Sequence, residues 1–241
     1  MDTNILFDTK GIAITPDKIN KKIKKFGKSY NNTVQKIIED SETLEESGEV
    51  FIKCAARILS NFKMTRNGPF KGVKIGKNGN VIGKKILVNC WEEIGINLME
   101  IRKSVVKSGY PRGRFLLQLN QTEREKLISE IWLISKRLLP FTMGRTSYGL
   151  VGASKILFSV LPEIVLPVDN QEWLNLFKTV DIGDVINRMV CDIQKWEKET
   201  EKKLNELDSS KKLTTLPSVY NVMAMDARPK VNKRSQKNNK I

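Results

Sequence analysis

The stretch Arg145–Trp173, RTSYGLVGASKILFSVLPEIVLPVDNQEW, decides how the rest of the chain is read. A turn broken by Gly149 and Gly152 leads into a short apolar helical run, and a proline-bounded apolar connector then ends on a lone acid, Asp169. A helix that opens at Gly152 or Ala153 leaves its first amides without intrahelical acceptors and its positive dipole end open, which suits a phosphate. Arg145 and Lys155 flank that end. Asp169, lying just before Gln171-Glu172-Trp173, also reads as a helix N-cap, a role that a part in chemistry does not exclude.

Working outward, the apolar residues recur at helical spacing. Upstream, Thr122 with Glu125 three residues on predicts a capping box, followed by an apolar side of Leu127, Ile128, Ile131, Ile134 and Leu138. A long helix is predicted from Lys84, with Leu87, Trp91, Ile94, Leu98, Ile101 and Val105 on one face, and Ser108-Gly109-Tyr110-Pro111 stops it. Earlier still, Thr15-Pro16-Asp17 marks a helix start, and two further stripes run through Val34, Ile37, Ile38 and Leu44, then Val50 to Phe62. Downstream, Asp184 to Leu207 reads as one long helix, and Leu216-Pro217-Ser218 opens a last short one. The expected architecture is therefore mainly α. About seven helices form one body over residues 1–227, carrying a small inserted β-hairpin and followed by a disordered basic tail at 228–241.

The hairpin is expected within residues 63–85, a glycine-rich segment with seven positive charges and no acid. Two short apolar strands flank Asn78-Gly79, the strongest short-range hairpin signal. Lys71, Lys74 and Lys77 are spaced along it, so the ribbon serves either as a surface for a phosphate backbone or as a solvated connector. Arg112 and Arg114 add charge to the loop that carries Tyr110, the best candidate for stacking on or wedging between bases. The four tryptophans, Trp91, Trp132, Trp173 and Trp196, fall on or beside apolar helical faces and read as core. The acidic run from Glu39 to Glu49 reads as a solvated face, since it lacks the spacing of a calcium loop.

Composition narrows the function. Lys and Arg outnumber Asp and Glu by 42 to 27 in 241 residues, a formal charge of +15, which raises the local concentration of any polyanion. Double-stranded DNA is the expected partner, no membrane partner is expected, and the oligomeric state stays open. The sequence lacks both a bilayer-spanning apolar run and a secretory pattern at its start, so the cytoplasm is the expected location. Cys54, Cys90 and Cys191 are scattered on predicted apolar faces, which fits buried free thiols and offers no metal-ligand spacing. There is no histidine, so histidine bases, Ser–His or Cys–His pairs and imidazole zinc sites are excluded within the chain. Proton transfers must run through Asp, Glu, Lys, Tyr, water or a bound metal.

Residues 122–173 resemble the helix-hairpin-helix DNA glycosylase superfamily, in which a glycine turn between two helices grips the DNA backbone. The resemblance rests on Gly149, Gly152 and the Val165-Leu166-Pro167-Val168-Asp169 run. It implies that the amides around Gly149–Ala153 hold a phosphate and that Asp169 is the catalytic aspartate, assisting departure of a flipped base or positioning water. Lys155 stands near the place of the lysine nucleophile in bifunctional members. The sequence differs from the superfamily pattern in having no proline before its glycines and Asn170 after its aspartate. No cofactor is implied.

Two alternatives remain. Pro167-Val168-Asp169 and Glu201-Lys202-Lys203 follow the order of restriction-type nucleases, and only that reading calls for magnesium. A non-catalytic basic protein with an RNA or acidic-protein partner also fits the charge.

Overall fold

The computed structural model describes residues 5–144, 149–170 and 172–228. Helix α1 (Pro16–Phe26) opens with Pro16 behind Thr15, where a fixed φ helps and the missing N–H costs nothing. Helix α2 (Lys28–Asp40) buries Tyr30, Val34, Ile37 and Ile38 against α3 (Glu49–Asn61), which answers with Phe51, Cys54, Ala55, Ile58 and Leu59. Helix α4 (Lys85–Lys107) carries Leu87, Cys90, Ile94, Leu98, Ile101 and Val105 inward, and Ser108 then caps it as the spacing predicts.

A short α5 (Phe115–Gln118) precedes α6 (Gln121–Thr142), α7 (Leu150–Val160), a π-helical turn at Glu172–Phe177, α8 (Ile182–Thr200) and α9 (Leu216–Ala227). All of α7 from Gly152 to Val160 is buried, with α3, α6 and α2 packed around it. A helix buried on every side belongs in the middle of a fold, and α7, mostly apolar, is the axis of this one.

The hairpin forms where Asn78-Gly79 predicts it. Strands β1 (Lys74–Ile75) and β2 (Val81–Ile82) pair antiparallel, Lys74 opposite Ile82 and Ile75 opposite Val81. The Gly76 N–H donates to the Asn80 carbonyl at 2.7 Å, and Gly79 takes the left-handed φ of 78° that the turn requires. Just before β1, Phe70 and Val73 are buried and fasten the ribbon to the body beside α3.

The single mainly helical body with one small hairpin is thus as expected, but four local readings are corrected. The capping box of α6 is made by Asn120 and Glu123, two residues earlier than Thr122 and Glu125, because Asn120 Oδ1 accepts the Glu123 N–H at 3.0 Å while Glu123 Oε2 accepts the Asn120 N–H at 2.9 Å. Helix α7 begins at Leu150, before Gly152. The helix predicted to run to Leu207 stops at Thr200, where Glu201 turns left-handed and Leu204 folds back into the core. Cys191 lies exposed on α8, whereas Cys54 and Cys90 are buried as expected. Among the described residues no helix is long and apolar enough to cross a membrane. Arg145, the remainder of the turn up to Tyr148, and the tail beyond Arg228 lie outside the described residues.

Candidate functional site

The two ends of the deciding stretch meet at one carbonyl. Ser154 Oγ and Lys155 Nζ, neighbours on α7, donate to the Val168 oxygen at 3.1 and 3.2 Å. This pins the connector one residue before Asp169. Asp169 and Glu172 then fix each other. The Asp169 N–H donates to Glu172 Oε2 at 2.7 Å, and the Glu172 N–H donates to Asp169 Oδ1 at 3.0 Å. The N-cap expected of Asp169 is therefore real. It engages Oδ1, while Oδ2 turns outward to an ion pair with Arg228, itself steadied by an Nε bond to the Met225 carbonyl at 3.1 Å.

Behind Asp169 the surroundings close over. Lys155 is 1% exposed, its amine 4.5 Å from the centre of the Phe62 ring. Glu172 is fully buried, and Tyr30 of α2 accepts a hydrogen bond from Asn221 Nδ2 of α9 at 2.7 Å. Glu172 Oε1 and Asn221 Oδ1 are buried and have no hydrogen-bond partner among the described residues. Burial, reinforced by the neighbouring Asp169 charge, pushes the Glu172 carboxyl well above the usual carboxylate range. Burial likewise pushes the Lys155 amine down, against the pull of Glu172 and Asp169. Burial also raises the Tyr30 phenol, which stays protonated. The result is a partly exposed carboxylate oxygen backed by a buried acid and a weakened amine.

Lys155 lies close to Asp169, but its side chain turns inward. It was expected to flank a phosphate, yet α7 has no solvent face from Gly152 onward and carries the amine into the core. Ala153 is also withdrawn from a phosphate role, since its N–H is bonded to the Gly149 carbonyl at 3.0 Å. Gly152 is a packing glycine. A Cβ there would stand 2.9 Å from Thr142 Cβ and 3.0 Å from Phe70 Cε2. Gly149 supplies a left-handed φ of 79° at the start of α7, whose end no side chain caps.

The other basic candidates divide. Lys71, Lys74 and Lys77 are exposed along the hairpin, and the Phe70–Gly152 contact brings that segment beside α7. Arg112 and Arg114, expected to face phosphate, are turned inward. Arg112 donates to Glu163, Glu42, Ser41 and the Ile38 carbonyl, and Arg114 holds Glu197 with two nitrogens at 2.7 and 2.6 Å. Each carboxylate partner lies far away in sequence, so nothing local signalled the pairing. Tyr110 remains exposed, tilted against Phe115. Trp173 and Trp196 are core, whereas Trp91 and Trp132 are half-buried.

Glu172, Tyr30, Asn221 and Arg228 were missed. Glu172 left a trace, since Asp169 and Glu172 have the three-residue spacing of a capping box. The other three come from α2, from the middle of α9 and from the residue just after it, and carry no local mark. Among the described residues no group of three acids or thiols could hold a metal ion, and Glu201 is an exposed helix cap rather than a strand residue. Compared with protein-family models, curated proteins and solved structures, the chain matches none.

Proposed function

We propose that the chain binds double-stranded DNA through its phosphates and acts, in the manner of a glycosylase, on a nucleotide turned out of the duplex, with Asp169 as the reacting carboxylate. One observation carries this reading: Asp169 is held by Glu172 at one oxygen and presents the other to a cation. Loss of a base leaves positive charge on the sugar, and a fixed carboxylate stabilises that charge or orients the water that quenches it. On this reading the guanidinium of Arg228, paired with Asp169, stands in for that charge. Lys155 supports the carboxylate from behind. To act as a nucleophile it would first have to leave the Val168 carbonyl. Lys71, Lys74 and Lys77 supply positive surface, and Tyr110 supplies the wedge.

The test uses the full chain with ordinary, methylated and damaged duplexes, with and without magnesium. The expected results are binding that weakens linearly in log salt, with a slope near ~5 for about six phosphate contacts, and magnesium-independent base release that Asp169→Asn abolishes without loss of binding. Binding with no base release from any duplex would reduce the protein to a plain binder. A flat salt dependence would remove DNA altogether.

A further inference from the structure

On the outer face of α4, the indole of Trp91 lies flat because two glycines make room for it. A Cβ on Gly95 would come within 2.8 Å of the ring, and one on Gly48 within 2.5 Å. The indole Nε1 donates to the Glu46 carbonyl at 3.2 Å, and the Phe51 ring backs it at 5.3 Å. Trp91 is thus a fixed floor. Beside it, Ile96 is 78% exposed and Met99 half-buried, bordering a groove of about 410 Å³. A lone exposed isoleucine is unremarkable, but one set next to a rigid, partly open indole in a formed groove has the make-up of an anchor pocket.

The rim reverses the sign of the molecule. In a chain of formal charge +15, this groove is edged by the exposed carboxylates of Glu46, Glu92 and Glu100 against the single amine of Lys103. A polyanion is repelled from such a rim, and a second copy, adding another +15, is opposed by net charge far more than a short cationic helix is. The complementary occupant is cationic with an apolar tooth. We propose that the groove docks a basic amphipathic helix of a partner protein, a branched apolar side chain entering beside Trp91 and Ile96 while lysines or arginines meet Glu46, Glu92 and Glu100. The groove shares no residue with the Asp169 site or the hairpin.

The probe is a synthetic helix of about fourteen leucines and lysines in amphipathic order, fluorescently labelled and titrated with the full chain; its mirror-charge control replaces each lysine with glutamate. Anisotropy is expected to show saturable binding of the lysine peptide only. Ile96→Asp and, separately, the pair Glu92→Lys with Glu100→Lys should each weaken it tenfold or more, while circular dichroism stays unchanged. The two surface variants guard against a folding defect in either one. No binding of the lysine peptide, equal binding of the glutamate peptide, or unchanged affinity in both variants overturns the proposal. So does a wild-type dimer in sedimentation that Ile96→Asp dissolves, since the occupant would then be a second copy.

Discussion

Arg228 closes an ion pair on Asp169 Oδ2 across 59 residues of sequence, so the last described turn of the chain lies over the residue that the deciding stretch singles out. Both side chains are partly exposed, 29% and 25%, and such a pair contributes little to stability. Arg228→Ala is therefore expected to lower stability by no more than about 1 kcal/mol, measured by urea unfolding, and to leave base release intact or faster because it removes a competing cation from the carboxylate. A collapse of base release with binding preserved would make Arg228 part of the chemistry.

The buried carboxyl predicts a pH limb. Burial pushes Glu172 up to about 8, whereas a glutamate in the unfolded chain loses its proton near about 4.3. Between those values the native state holds the extra proton. Its contribution to stability is therefore full below the unfolded value and falls as pH rises toward the folded one, by up to about 1.4 kcal/mol per unit. Glu172→Gln should flatten that limb in unfolding curves taken from about pH 5 to 8. If wild type and variant have the same slope, the carboxyl is not held protonated.

At the start of α7, Gly152→Ala must push a methyl toward Thr142 and Phe70, at 2.9 and 3.0 Å. A destabilisation of about 1–3 kcal/mol is expected, and since Phe70 also anchors the hairpin segment, limited proteolysis should begin at residues 63–85. An unchanged melting temperature would mean that Phe70 yields freely.

Glu163 is buried between Arg102 and Arg112, joining α4, the 3₁₀ turn at Arg112–Arg114 and the connector after α7. Neutralising it leaves a buried guanidinium without its counter-charge, so Glu163→Gln is expected to cost about 3–5 kcal/mol. Unfolding titration measures this directly. A loss under 1 kcal/mol would show that water replaces the carboxylate.

How much of this was legible in the sequence follows from the range of the forces involved. Helical stripes, the proline start of α1 and the Asn78-Gly79 turn are local, and each is found within a few residues of its predicted place. The cap of α6 slipped by two residues because Asn120 and Thr122 both have a glutamate three positions on, and only geometry chooses between them. The break after Thr200 was hidden for another reason: Glu197 binds Arg114 and the Leu204 N–H, a tertiary arrangement that overrides a strongly helical composition. The site was half visible. Asp169 and Lys155 stood out in one stretch, but Tyr30, Asn221 and Arg228 reach it from the two ends of the chain, where spacing carries no information. The inward turn of Lys155 had one cue, the mostly apolar company of its helix.

The seating of Phe70 against Gly152 has a mechanical consequence. The segment leading into the lysine ribbon is seated on the axial helix through Phe70, so on the proposed reading whatever the ribbon grips would be held at a set offset from Asp169. On the proposed reading the molecule would measure along DNA as it binds. Lengthening the segment between Phe70 and Lys74 would shift the register at which Asp169 engages before it weakened the grip.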